Sequence, residues 1–322
     1  QLLNNKHLSL TLNSCLLKLV DFIGFILATK AATMGLTEYT YDDSFTITPG
    51  VLKVYNRDGG FLVRGLLDKI ELEMITKTLE NKEIVNHGFD LADGDGRASK
   101  LALWSHPGSD VTGMMARSEK VAGSCAKLLG GEVYHYHTKL MMKEPKTGGK
   151  HLWHQDYGYW YKNGNLRPDM ITAYIAVDKC VKENGCLQVV VGTHNCGRID
   201  HNLVHGQTVA DDERVKQLCA HHEHIFVEMN PGDCLFFHCN LLHTSDKNDS
   251  DLRRWAFLCS YNRADNDPVY KHHHPNYTPL EMVPNSAIKE CTNFTDFTGK
   301  EFMDPNSDKT TNASLFKKSG YH

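Results

Sequence analysis

Apolar positions along this chain follow two periods, and the change from one to the other divides it. Ile70, Leu72, Ile75 and Leu79 recur at helical spacing between residues 67 and 81. A second amphipathic helix is predicted from Val111 to Leu129, stopped by Gly130-Gly131. From Val133 onward the period drops to two. The runs at Val133–Met142, His151–Tyr157, Ile171–Val177, Leu187–Val191, His224–Met229, Cys234–Cys239 and Arg254–Asn262 read as strands, with Phe61–Gly65 as an earlier one. Asn184-Gly185 predicts a hairpin joining the run at 171–177 to that at 187–191, and Asn230-Pro231-Gly232-Asp233 predicts another turn. Asn86–Ser109 is rich in Gly, Asp and Ser and reads as an exposed loop. Ile199–His222 reads as a polar excursion with one short helix, and both segments are candidate lids. Helices followed by many short strands predict a mainly β fold with flanking helices, a sandwich or jelly roll with a site in one mouth.

One domain is expected over residues 34–322, with its core at about 50–262 and a polar C-terminal wrap over 263–322. Residues 1–33 stand apart. Cys15–Ala32 is apolar, but Lys18, Asp21 and Lys30 interrupt it, so no stretch is long enough to span a bilayer. No basic cluster flanks it as a secretion signal would require, and it lacks the arginines of a transit peptide. Met34-Gly35-Leu36 reads as a more natural start, so residues 1–33 are expected to be an extension outside the working protein.

Lys and Arg total 35 against 39 Asp and Glu, a net charge of −4 with no polybasic run, so neither nucleic acid nor a membrane surface is an expected partner. The ten cysteines are irregularly spaced without a CxxC, which predicts reduced, packed thiols and a reducing, cytoplasmic compartment. A small-molecule substrate and a monomer or homodimer are expected.

His154-Gln155-Asp156 carries the chemistry. Two metal-capable side chains one residue apart share a face of a strand. A second histidine from another strand would complete two imidazoles and one carboxylate, which cover one face of a metal and leave the rest open, the ligand type of non-haem Fe(II) oxygenases. His221-His222-x-His224 and His272-His273-His274 lie in polar stretches and are expected to be solvated. His238 ends an apolar strand and reads as a core histidine. His243 is favoured, with Thr244 and Ser245 beside it and Arg254 eleven positions on. An arginine there could hold a dicarboxylate by a bidentate fork. Arg253 and Arg254 point to opposite faces of one strand, and spacing alone does not choose between them.

The stretches WHQDYGYWYKNG, ENGCLQVVVGTHN and PGDCLFFHCNLLHTSDKNDSDLRRWAF resemble the phytanoyl-CoA dioxygenase family of iron(II)- and 2-oxoglutarate-dependent oxygenases, over about residues 50–262. The resemblance implies a double-stranded β-helix, a cupin-like jelly roll. It implies catalytic metal ligands at His154, Asp156 and His243, with Fe(II), 2-oxoglutarate and O2 as cofactor and co-substrates. It implies that Arg254 holds 2-oxoglutarate, with hydroxyl contacts from Ser245 and Thr172. The ectoine hydroxylase branch looks nearest and shares Trp160. Its substrate-contacting glutamine and arginine fall on His137 and Lys139, and an asparagine that contacts the co-substrate falls on Met141. These departures argue against ectoine itself.

A hydroxylase of a small zwitterion (an amino acid, a betaine or an aminophosphonate) is therefore expected, with Tyr157, Tyr159 and Trp160 as a possible cage for a quaternary ammonium. The alternatives are 2-hydroxylation of an acyl-CoA and a non-catalytic binding protein that retains the metal site.

Overall fold

The computed structural model describes residues 35–305, so the expected extension at 1–33 lies outside the described residues. In chain order the strands are β1 (Glu38–Thr40), β2 (Gly60–Arg64), β3 (Phe89–Ala92), β4 (Ala98–Ser105), β5 (Val133–Lys143), β6 (His151–His154), β7 (Met170–Ala176), β8 (Leu187–Val190), β9 (His201–Val204), β10 (Gln207–Ala210), β11 (His224–Val227), β12 (Cys234–His238), β13 (His243–Ser245), β14 (Arg254–Arg263) and β15 (Glu301–Phe302). The large sheet runs β1-β2-β12-β7-β14-β5-β4-β15, with β3 also paired to β4. A smaller sheet runs β11-β8-β13-β6, and β9 pairs with β10 alone.

Alternation along the large sheet sorts its side chains into two layers. Trp255, Phe257, Cys259 and Tyr261 of β14, Ile171, Ala173 and Ile175 of β7, and Cys234 and Phe236 of β12 join one apolar cluster. The helices Pro49–Asp58, Lys69–Leu79 and Val111–Arg117 cover that cluster with Val51, Tyr55, Ile75, Leu79 and Met115. The intervening residues Ala256, Leu258, Tyr174, Leu235 and Phe237 face the small sheet and pack with Leu187, Val189 and Val227. Helices, large sheet and small sheet thus form three layers, the jelly-roll sandwich the strand pattern predicts. Phe236 and Phe257 are fully buried, and burial of each contributes about 2 kcal/mol.

Several expectations are corrected. Asn86–Ser109 is not an exposed loop. It forms the hairpin β3–β4, and β4 pairs along β5 with Ala102 and Trp104 fully buried. Its polar residues belong to the turn, where the Asp93 carboxylate accepts from the Asp95 and Arg97 amides. Asn184-Gly185 does not close a hairpin, because β7 and β8 lie in different sheets. Gly185, at φ 73°, ends a short 3-10 turn that carries the chain across the sandwich. The expected helix from Val111 to Leu129 breaks at extended Ser118, then continues as a π-helix over Glu119–Gly123 into an α-helix over Ser124–Leu129. Lys120, in the π-helical turn, reaches back to the Glu71 carboxylate at 2.6 Å. The expected C-terminal wrap is partly internal: Ile288 and Phe297 join the core, and Lys300 pairs with Asp110 at 2.9 Å, both side chains fully buried.

One irregularity controls the site. Ser260 pairs with His137 but Tyr261 pairs with His135, so Tyr136 is an extra residue, a β-bulge. It reverses the alternation of β5. His135 packs beside Tyr261 on the helical side, while His137, Lys139, Met141 and Lys143 turn toward the small sheet.

The Lys120–Glu71 pair is buried, and removing one partner of such a pair strands a charge. Lys120→Ala should lower unfolding free energy by about 3 kcal/mol in a urea titration. Acid should also weaken the fold. Burial, then the nearby positive charge of Lys300, pushes the His135 pKa from 6.5 down to about 3. Burial and His194 do the same for His238, also to about 3. The unfolded chain protonates these histidines below pH 6.5 while the folded chain resists, so between pH 6.5 and 3 stability should fall as pH falls. The slope is at most about 1.4 kcal/mol per pH unit for each histidine, and His135→Gln should flatten it when unfolding is measured across that range.

Candidate metal centre

Two adjacent strands of the small sheet supply the imidazoles. His243 of β13 pairs directly with His154 of β6, and the ring centroids lie 4.1 Å apart. β6 ends at His154, so the expected strand through Tyr157 is corrected. Gln155 is still extended (φ −111°, ψ 137°), which keeps the two-residue alternation, and Asp156 opens a short helix, Asp156–Trp160. Ligand atoms of His154, Asp156 and His243 all lie within 4.8 Å of one another, and the three residues are buried.

The hydrogen bonds settle which nitrogens are free. His154 Nδ1 lies 2.7 Å from the Leu152 carbonyl and His243 Nδ1 lies 2.8 Å from the Leu241 carbonyl. A carbonyl can only accept, so each Nδ1 carries the proton and each Nε2 keeps its lone pair for a metal. Burial, then His243 and His151, depress the His154 pKa well below that of a free imidazole, which keeps it neutral. Burial opposes the Asp156 charge, but Lys139 and His243 outweigh it and hold that carboxyl below its usual range. Tyr159 donates to Asp156 Oδ1 at 2.8 Å and Thr172 to Oδ2 at 3.3 Å. Two neutral imidazoles and one carboxylate suit a divalent ion and leave its remaining positions open.

Gln155, between the ligands, is fully buried and ties the loop down. Its amide donates to the Gly197 and Asn240 carbonyls and accepts from Ile199 N–H, while its backbone N–H donates to His201 Nε2 at 2.9 Å. The His201 ring lies against Gly158, where a Cβ would meet it at 2.2 Å.

The metal cluster lines a small chamber of about 30 Å³ together with Tyr174, Ser245 and Arg254. Arg254 is buried; it donates to Tyr174 Oη and to the Gly185 carbonyl, each at 2.9 Å, and its Nε has no partner. Arg253 points the other way, onto Asp178 and Glu80. A wider cavity of about 250 Å³ adjoins, sharing Lys139, Met141 and His151 with the chamber. Phe89, Leu91, Leu101, Leu103 and Met303 form its apolar wall.

Not every candidate arrives where it was expected. Lys139 is buried and lines both cavities, with Nζ donating to Tyr159 Oη at 2.8 Å and lying 3.6 Å from Asp156. His137 is buried too and packs on Trp160. Thr172 touches Asp156 and Ser260 and does not line the chamber; Tyr174, two residues on, stands at Arg254 instead. Tyr157 turns away, donating to the Asn165 carbonyl, and Trp160 lines neither cavity. The expected ammonium cage is occupied by the protein itself: Lys139 Nζ sits 5.4 Å from the Tyr159 ring and 5.5 Å from that of Trp160. His238 lies in the core against Tyr55 and His194.

Three contributors escaped sequence reasoning. His151 stacks on His154, with centroids 4.1 Å apart, and lines both cavities. Lys143 donates to Ser245 Oγ at 2.9 Å. His274, expected to be solvated, is buried against His137 and lines the wider cavity. His151 and Lys143 flank motifs that were read, but nothing local foretells the reach of His274.

A sequence model described as phytanoyl-CoA dioxygenase (PhyH) matches residues 55–256. The chain is similar to an L-proline trans-4-hydroxylase of Streptomyces griseoviridis, 25% identical over 71% of this chain and 92% of the relative. It is also similar to a Caenorhabditis elegans protein named "Probable phytanoyl-CoA dioxygenase", 28% identical over 79% of this chain and 86% of that one. Among solved structures, EctD from S. alaskensis with 2-oxoglutarate and 5-hydroxyectoine matches at a TM-score of 0.61 and 19% identity, over 77% of this chain and 91% of that one. That likeness shows the double-stranded β-helix fold.

Gly158→Ala should push on His201 and, through the Gln155 amide, on both ligands flanking it. Mn(II) affinity should fall by about tenfold or more, read by paramagnetic titration, while His243→Ala should abolish binding.

Proposed function

The chain belongs to the phytanoyl-CoA dioxygenase family, and from that premise we propose that it hydroxylates an unactivated C–H bond of a small zwitterion, an amino acid being the best fit. It is a dioxygenase that uses Fe(II) and 2-oxoglutarate. One observation carries the reading: a His-His-Asp cluster shares a chamber with a buried arginine that has no carboxylate partner among the described residues. Leaving a guanidinium so placed is costly unless an anion completes it.

His154, Asp156 and His243 would hold the iron through two Nε2 atoms and a carboxylate oxygen. Bound there with 2-oxoglutarate and O2, it supplies the oxidising chemistry that places a hydroxyl group on the substrate and releases succinate and CO2. Arg254 would fork onto the far carboxylate of 2-oxoglutarate, with the Ser245 hydroxyl beside it. The buried walls exclude water, and Met141 and Leu258 add apolar surface.

The wider cavity offers a partner for each charge of a zwitterion. Lys139 offers a cation for a carboxylate close to the metal. Burial, then His273 and His137, hold the His274 pKa well below its ordinary value, so this imidazole stays neutral; its buried Nδ1 has no hydrogen-bond partner and could accept from an ammonium. The proline hydroxylase relative supports an amino acid. His137 backs His274, and Trp160 with Tyr159 positions Lys139. Tyr157 supports the helix from behind.

The acyl-CoA reading draws on the nematode relative, but among the described residues Lys139 is the only Lys or Arg lining the wider cavity, and the phosphates of CoA call for several. We place the activity in one oxygenase domain over 34–322, working as a monomer or homodimer in a reducing, cytoplasmic setting. The nine described cysteines are all free, which supports that compartment. Among the described residues no helix is long and apolar enough to cross a membrane.

Succinate release should be stimulated by one member of an amino-acid panel and should vanish with a chelator or in His154→Ala; stimulation by acyl-CoA alone would overturn the zwitterion reading. Arg254→Leu should raise the KM for 2-oxoglutarate by about 100-fold, the worth of a bidentate ion pair. Lys139→Met should raise the KM for the amino acid instead.

A further inference from the structure

The bulge that turns His137 and Lys139 toward the small sheet leaves His135 on the helical side, beside Tyr261. There His135 lines a separate cavity of about 280 Å³. The wall opposite comes from Arg117, from the loop His106–Ser109 after β4, and from Thr278–Glu281. None of these residues lines the metal chamber or the wider cavity. His106 stands at φ 60°, a left-handed conformation uncommon for a residue with a side chain. Strain of that kind gathers at ligand sites.

Two buried polar groups of this cavity lack partners. Arg117 Nε is buried and makes no hydrogen bond. Its neighbour Nη2 reaches only the Met114 thioether at 3.4 Å, a weak acceptor. Nη1 lies 3.7 Å from the Glu281 carboxylate, but that side chain is 89% exposed, and so solvated a contact holds little. One edge of the guanidinium is therefore without an oxygen acceptor. His135 is buried as well, and its Nδ1 has no partner. Its Nε2 lies 2.7 Å from the Thr138 hydroxyl, which can donate or accept, so Nδ1 is free to carry the proton. Burial, then Lys300 and His106, keep this ring neutral, with a pKa of about 3. Lys300, which reaches the Pro107 carbonyl, is already paired with Asp110. Arg117 is left as the cation that a guest would meet. Buried donors left without acceptors are costly, and they point to a missing partner.

We propose that this cavity is a second ligand site, on the helical side of the large sheet, for a small carboxylate with a short apolar body. Arg117 takes the carboxylate on its Nε/Nη2 edge, the geometry of a bidentate fork. His135 Nδ1–H adds a further donor, and Pro107, Pro279 and Leu280 cover the apolar end. Glu281 competes for the same guanidinium and turns into solvent when the guest enters. A bare phosphate has no apolar end to bury and binds less well.

The test is calorimetric titration of the Fe(II)-loaded protein without oxygen, with 2-oxoglutarate saturating, using butanoate, inorganic phosphate and butanol. Butanoate should bind more tightly than phosphate, and butanol should give no saturable heat. Arg117→Gln should weaken butanoate about tenfold or more, the worth of one charged hydrogen bond. Glu281→Gln removes the competing charge from an exposed side chain and should tighten butanoate about twofold or more. If Arg117→Gln does not fold, Glu281→Gln decides alone. Lys139→Met, which takes the cation from the wider cavity, should leave the affinity for butanoate as it was. Four results would overturn the site: no saturable butanoate binding, tighter binding of phosphate, an affinity that Glu281→Gln does not raise, or a loss in Lys139→Met that Arg117→Gln does not share.

Discussion

Everything at the site depends on the register between β6 and β13. His154 and His243 face each other only because these strands pair at that step. A slip of one residue would turn one imidazole to the opposite face. The register is held from several sides. β8 pairs with the other edge of β13, Thr244 donates to the His151 carbonyl, and each ligand histidine is pinned by a carbonyl two residues before it. Gln155 and His201 then fix where the chain leaves β6, and with it the position of Asp156.

The two sheets divide the labour. The small sheet brings both imidazoles, while the large sheet supplies the charged groups opposite: Lys139 and Lys143 from β5 and Arg254 from β14. The result is polarised. Asp156 lines the chamber, and so does Arg254, which has no carboxylate partner among the described residues. A 2-oxo diacid, with its chelating end toward a metal and its carboxylate toward a guanidinium, matches that polarity in one orientation only. Lys139 lines both the chamber and the wider cavity and lies 3.6 Å from Asp156, so one ammonium links the two spaces.

This arrangement has a stability cost that the surrounding layers absorb. Buried cations and a buried carboxylate are expensive in an apolar interior. The opposite face of the large sheet is almost wholly apolar and covered by helices. The strain of function is confined to one face of each strand, while the other holds the fold together.

Much of this was legible in the chain because it is local. Period-two runs marked the strands of the sandwich, and the separation of His154 from Asp156 placed both on one side. Alternation showed that Arg253 and Arg254 must diverge, but not which of them faced inward. That was decided by packing, since Trp255 and Phe257 go to the helices and Arg254 is left for the interior. The bulge at Tyr136, the crossing at Gly185, the burial of Lys143 and the return of His274 to the cavity wall were equally beyond local reading. Each depends on which distant segment lies across the gap. Neighbours in sequence dictate periodicity through backbone geometry, but only the closed sandwich determines what a buried charge meets.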